Sequence, residues 1–109
     1  MAQNFRRYTS NAVGTAATTV FTANSFDTII GIALANVNAT TSINATVTIN
    51  DGTNDIDLIK NAPIPVGSQL QVIDGGAKYV VQSGDVLKVN CDVASAMDVW
   101  VSAVDDIST

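Results

Sequence analysis

The densest set of oxygen donors in the chain is DGTNDID (51–57), which brings Asp51, Asn54, Asp55 and Asp57 within one turn's length. Carboxylates and amide oxygens at such spacing are what a calcium ion takes. The EF-hand form of that site needs Gly at its sixth position and a bidentate Glu at its twelfth. Counted from Asp51, those positions hold Ile56 and Ala62, so the motif fails and the segment reads as a solvated turn. An irregular calcium site at a hairpin tip is the alternative reading. GGAK (75–78) has the glycines and lysine of a phosphate-cradling loop, but it lacks the spacing and the following helix that a P-loop requires. The two N-A-T triplets at Asn38 and Asn44 are glycosylation sequons by pattern alone, in a chain rich in Asn and Thr. Cys91 is the single cysteine, which excludes an internal disulfide and reads as a small core residue.

No histidine and no glutamate occur. The loss of histidine removes Ser-His-Asp and Cys-His nucleophile activation, imidazole general-base chemistry and most zinc and iron sites. Acid–base work would fall to aspartate alone. No catalytic residue, metal or cofactor is assigned, and the chain is expected not to be an enzyme.

Two other places hold residues suited to contact. In MDVWVSAV (97–104) strict alternation puts Met97, Val99, Val101 and Ala103 on one face and Asp98, Trp100, Ser102 and Val104 on the other. The only tryptophan thus shares a face with Asp and Ser, either bent over a sheet edge or packed under a loop, or serving as an anchor at a subunit or ligand contact, a role in which Trp is enriched. The opening MAQNFRRYTSNAVGTA (1–16) carries both arginines with Phe5 and Tyr8 but no clear alternation. Extended, it reaches roughly 50 Å at about 3.3 Å per residue. A frayed terminus is the bland reading, but aromatics and Arg are enriched at interfaces, so the segment is read as an arm laid on a neighbour, with Phe5, Arg6, Arg7, Tyr8 and Trp100 as the candidate interface residues.

The elements that would position these residues are strands. Val, Ile and Thr are abundant and good helix formers scarce, and turn chemistry recurs every 8–12 residues or so. The pattern predicts strands over 17–22, 27–37, 43–50, 55–60, 68–73, 77–82, 85–91 and 97–105. Hairpins are expected through NDGT, with Gly52 at positive φ, through GG from QLQVID into KYVVQ, and through SGD from KYVVQ into DVLKVNC. The stretch 27–37 is apolar on both faces, which suits a strand covered by the core on one side and by something else on the other; a buried helix is the competing reading. The only two prolines, Pro63 and Pro65 in NAPIPVGSQL (61–70), remove ladder donors and are expected outside any central strand, in a stiff crossing with Gly67 at its corner. The fold class is therefore all-β: an antiparallel β-sandwich, jelly-roll-like or Ig-like, of about eight short strands with an extended N-terminal arm. The domains are the arm, 1–16, and the sandwich, 17–109.

With 109 residues, 47% apolar and only 14% charged, the chain can support one core under a surface of Thr, Asn, Ser and Gln. A net charge of −5, against the cations Arg6, Arg7, Lys60, Lys78 and Lys88, argues against nucleic-acid binding. TIIGIALANV (28–37) is about half the length of a membrane span, so no membrane partner is expected.

APIPVGSQLQVI, KYVVQSGDVLKV, DVWVSAVDD and the opening RRYTSNAVGTAATTVFTA together resemble small virion proteins of tailed bacteriophages, which carry a Pro-x-Pro-x-Gly-Ser corner, a Gly-Asp turn and a final Val- and Ser-rich strand. That resemblance implies a head decoration (cement) protein on the capsid surface, a homo-oligomer with a trimer as the expected stoichiometry, and the major capsid protein or other virion proteins as partners. A tail- or fibre-associated structural module, or a carbohydrate- or receptor-binding one, is the alternative. PVG…SGD also echoes the cupin barrels, whose metal sites need His and Glu ligands this chain lacks, so that kinship would be one of fold alone.

Overall fold

The computed structural model describes residues 4–23, 27–73 and 79–105. In chain order the strands are β1 (Asn4–Val13), β2 (Thr18–Thr22), β3 (Asp27–Asn36), β4 (Ile43–Asn50), β5 (Asp55–Ile64), β6 (Gln69–Ile73), β7 (Tyr79–Val81), β8 (Val86–Cys91) and β9 (Met97–Asp105). One sheet runs β1-β9-β3-β6, with β7 also on β3, and the other runs β2-β8-β4-β5. All ladders are antiparallel.

Since β9 occupies one edge of β3, both β6 and β7 lie on the other, end to end: β6 pairs with Ile32–Ala35 and β7 with Asp27–Ile29. Taken as one interrupted strand, they leave eight strands in which first pairs with last, second with seventh, third with sixth and fourth with fifth. That nesting is the jelly roll, the double-sheet arrangement of two Greek keys.

The core lies between the sheets. One pleat of every central strand turns inward: Ile43, Ala45 and Val47 from β4, Leu87, Val89 and Cys91 from β8, and Met97, Val99, Val101 and Ala103 from β9 are all buried. The β9 alternation is the one its sequence predicts. β3 contributes Ile29, Ile32 and Leu34, its simple alternation broken by a register shift between Ile29 and Gly31. The Cys91 thiol sits among these residues, within reach of the Val93 and Val13 carbonyl oxygens at 3.1 and 3.4 Å. Asn36 is buried at the end of β3 and fully used: its amide donates to the Thr41 and Ile64 carbonyls, both at 3.0 Å, and its Oδ1 accepts the Asn38 N–H at 2.9 Å.

Several expectations need correcting. The segment expected to lie on a neighbour is extended, but over residues 4–13 it is a strand laid along the chain's own β9, from Asn4 opposite Asp105 to Val13 opposite Met97. β5 does not stop at residue 60; it runs through Pro63 to Ile64. It can, because β5 is an edge strand, and on the side of an edge strand that has no neighbour a missing donor breaks no ladder bond. The corner follows it, with Ser68 N–H donating to Pro65 O at 3.0 Å and Gly67 at φ 73°. The expected hairpin of β6 with β7 does not exist, since the two share an edge of β3; its GG turn and the GGAK stretch lie outside the described residues. The SGD turn is present, with Asp85 N–H donating to Gln82 O at 3.0 Å, but it carries the chain from one sheet to the other. The NDGT hairpin stands as expected, with Gly52 at φ 94°.

Candidate assembly face

The outward face of the β1-β9-β3-β6/β7 sheet gathers most of the residues that sequence singles out. Its registers place Phe5, Val104, Thr28 and Val80 in one row across the strands, and Arg7, Ser102 and Gly31 in the next. Thr9, Trp100, Ala33 and Gln71 form a third row, followed by Asp98, Ala35 and Gln69. The middle of this face is a floor of small side chains, Gly31, Ala33, Ala35 and Ser102. Around it stand Phe5, Val80 and Trp100, exposed by 75%, 73% and 51%. An added Cβ at Gly31 would meet nothing nearer than the Ser102 Cβ at 3.7 Å, so the floor is open above that position.

The five candidate interface residues separate by pleat. Phe5, Arg7 and Trp100 share the outer face. The Arg7 guanidinium carbon lies 5.6 Å from the centre of the Trp100 ring, a cation–π approach between diagonal neighbours on adjacent strands. Tyr8 points the other way, its ring 4.4 Å from that of Phe21 and tilted by 48°, and closes the flank of the core opposite Val101. Arg6 stands on the same pleat as Tyr8, opposite Ala103, and is exposed at the strand's outer end. Trp100 is neither bent over an edge nor tucked beneath a loop; β9 is internal to its sheet.

Beyond Trp100 a shallow depression of about 350 Å³ is lined by Thr9, Ser10, Asn11, Asp98, Val99 and Trp100. It exists because β1 bulges between Ser10 and Val13, with Ala12 at φ 53° and its N–H donated to Asp98 Oδ1 at 3.0 Å. A non-glycine residue at positive φ is strained, and the carboxylate offsets part of that cost.

The DGTND hairpin spends its oxygens on itself. Asp51 Oδ1 accepts the Thr53 and Asn54 N–H groups at 3.0 and 2.7 Å, and these bonds, that of Asn54 foremost, hold the Asp51 carboxyl below its usual value. Asp55 Oδ1 accepts from the Asn50 amide at 2.7 Å and Asp57 Oδ1 from the Thr48 hydroxyl at 3.0 Å. Asn44 of the second sequon donates its backbone and side-chain N–H groups to Asp92, both at 2.9 Å, and so lowers that carboxyl's pKa. Among the described residues, no three His, Cys, Asp or Glu side chains converge on a metal-binding point.

Val80 and the small floor residues are what sequence reasoning missed. The second apolar face of 27–37 signals a covering layer, but Gly31, Ala33 and Ala35 become a flat surface only once β9 and β6 are set beside them.

No family model and no curated protein matches the chain in sequence. In structure it is similar to a chain of the acidic stable capsid of Helicobacter pylori bacteriophage KHP30, with a TM-score of 0.61 and 13% identity over 95% of this chain and 87% of that one. Two crystal structures of a pentameric capsid protein isolated from metagenomic phage sequences align at TM-scores of 0.49 and 0.46, each with 18% identity, over 94% of this chain and 61% and 62% of theirs. The likeness to the KHP30 capsid chain is one of fold.

Proposed function

We propose that this chain is a non-enzymatic structural component of a phage particle, a decoration (cement) protein that binds the outer surface of the head shell as a homo-oligomer, with a trimer as the expected form. The outer face of the β1-β9-β3-β6/β7 sheet carries this reading. A floor of small residues ringed by exposed Phe5, Val80 and Trp100 gives a flat contact surface rich in the side chains that anchor interfaces. A jelly roll whose chain contains no His and no Glu is a scaffold without the usual catalytic parts. Viral capsid domains are among the proteins that use this fold, and the KHP30 capsid chain is an instance. The shell is the expected partner, contacted through buried apolar area more than through charge.

The depression beside Trp100 favours a second reading, a carbohydrate- or receptor-binding module on a tail or fibre. Arg7 lies over the Trp100 ring and competes for the place where a sugar would stack, which weighs toward assembly.

Binding of the purified protein to undecorated particles tests the proposal. Gly31→Arg sets a long cation in the middle of the floor, its Cβ in ordinary contact with Ser102. It is expected to weaken particle binding by about tenfold or more, with a melting temperature close to wild type. Unchanged binding by Gly31→Arg and by Trp100→Ala would remove this face from the contact. Quenching of Trp100 fluorescence by glycans, with no binding to particles, would favour the second reading.

A further inference from the structure

We infer that the outer edge of β1 pairs antiparallel with the β1 edge of a second copy, across a two-fold axis at Thr9, so that two β1-β9-β3-β6/β7 sheets run on as one; this rests on the reading of the chain as a self-assembling component. The two sheets end in four edges, at β1, at β6 with β7, at β2 and at β5. An edge offers unpaired N–H and C=O groups to another strand, and proteins blunt such edges with prolines, charges, bulges or short strands. β5 carries Pro63, Asp55, Asp57 and Lys60, has Asn61 at φ 54° and shifts register twice against β4. β2, β6 and β7 have five, five and three residues. β1 has ten, and it follows β9 from Asn4 to Ser10 without a shift. It contains no proline, and beyond Arg7 it carries no charge.

The sequence of β1 suits a second copy of itself in one register. A two-fold axis normal to the sheet keeps side chains on their own faces only where residues of like pleat stand opposite each other. Three positions for the axis meet that condition within residues 7–9. With Arg7 on the axis, arginine faces arginine. With Tyr8 on it, the two Arg7 side chains become diagonal neighbours, still within reach of each other, and like charges so placed repel. With Thr9 on the axis, Thr9 faces Thr9, Tyr8 faces Ser10, and Arg7 faces Asn11 of the second copy. The two arginines then stand on opposite sides of the axis, about 13 Å apart along the strands. An axis further on would fall on the bulge that follows Ser10.

The Thr9 register also brings each cation to an anion on the same face. Arg7 and Asp98 both stand on the outer face of their sheet, and that face continues across the axis. Asn11 and Asp98 line the depression beside Trp100. Asp98 Oδ1 accepts the Ala12 N–H at 3.0 Å, a neutral donor that leaves the carboxylate its charge. Asp98 of the second copy lies two strand spacings from Arg7, about 10 Å between backbones, a gap that the two side chains together span. Each Arg7 exchanges its own Trp100 ring for the depression of the other copy, and symmetry makes the contact twice. β2, which neighbours β1 on this flank, is the uncharged run TTVFT and adds no repulsion as the flanks approach. The contact is small, at the weak end of specific interfaces, so it is expected to be reversible in free solution. On a shell, such two-fold contacts link one trimer to the next.

Cross-linking tests the register. Residues opposite each other in an antiparallel pair have Cα atoms about 4.5–5.5 Å apart, a separation that a disulfide bridges. Thr9→Cys is expected to give a disulfide-linked dimer on mild oxidation. Phe5→Cys, also exposed on that face but four residues from the axis, is expected to give none. Cys91 is buried and stays out of the reaction. Sedimentation velocity over a concentration series is expected to show a wild-type dimer, weakened about tenfold by Arg7→Glu and likewise by Asp98→Asn, which keeps an oxygen for the Ala12 N–H. Far-ultraviolet circular dichroism checks that each variant is folded. A wild type that stays monomeric at millimolar concentration, equal cross-linking by Thr9→Cys and Phe5→Cys, or undiminished association of Arg7→Glu would each overturn the inference. Cross-linking of Thr9→Cys to a shell protein and not to itself would also overturn it, by giving the edge another occupant. Particle binding is scored separately: particles that take up a protein with no such dimer sink this contact and leave the decoration role standing. A wild-type dimer that ignores particles does the reverse.

Discussion

At the scale of single residues, Asn36 shows how much of the loop architecture hangs on one side chain. It sits where β3 ends and ties the 38–41 loop and the last residue of β5 to the core, through two donated bonds and one accepted. Its removal strands the carbonyls of Thr41 and Ile64 and the N–H of Asn38, and buried groups left without partners cost more than the bond itself gains. Asn36→Ala is expected to lose about 2–3 kcal/mol, read as a lower urea midpoint at unchanged slope. None of this was legible in a chain with asparagines throughout, because what singles out Asn36 is the meeting of three segments, β3, the loop and β5. Residue-level reading did better where alternation is strict. The face carrying Trp100 follows from MDVWVSAV alone, and so does the inward row of β4. Tyr8 and Phe5 are the contrast. Their chemistry fits an interface, yet which one turns to solvent depends on which way the pleat of β1 faces, and nothing in FRRYTS sets that.

At the scale of elements, the central strands were legible and the edges were not. β4 and β9 bury one full face, so their period-two patterns are complete and their bounds come out of the sequence unaided. β1 packs Tyr8 and Val13 against the core and leaves Phe5, Arg6, Arg7, Thr9 and Asn11 exposed, so its alternation is too thin to read. β5 conceals itself differently, by carrying a proline that only an edge position tolerates. Sheet assignment was illegible for a separate reason: a tight turn such as SGD can return a strand beside its neighbour or send it across the sandwich, and local chemistry is the same in both. The position of β1 changes what a truncation means. Removing residues 1–12 uncovers β9 along its length and strips Tyr8 from Phe21. The shortened protein is expected to lose roughly 3–5 kcal/mol and to melt about 15 °C or more below wild type in a calorimetric scan. Loss of particle binding on such a deletion would therefore report damage to the sandwich; Gly31→Arg isolates contact from folding.

At the scale of the whole molecule, the jelly roll joins its strands by nesting, first with last and second with next to last, so almost every ladder closes a long stretch of chain. Such topologies fold slowly, because loop entropy is lost before the contacts reward it. Refolding after a stopped-flow jump from urea is expected in the millisecond-to-second range, with the β1–β9 ladder among the contacts that span most of the chain. The same ladder has a mechanical side. Asn4 faces Asp105, so the two ends of the described chain leave the molecule from one corner, at the same end of one antiparallel ladder. A pull on those ends bears on the cross-strand bonds singly, from the corner inward, and peels the strands apart like a zipper; it never loads the ladder in shear. The fold is therefore ill suited to carry tension along its own chain.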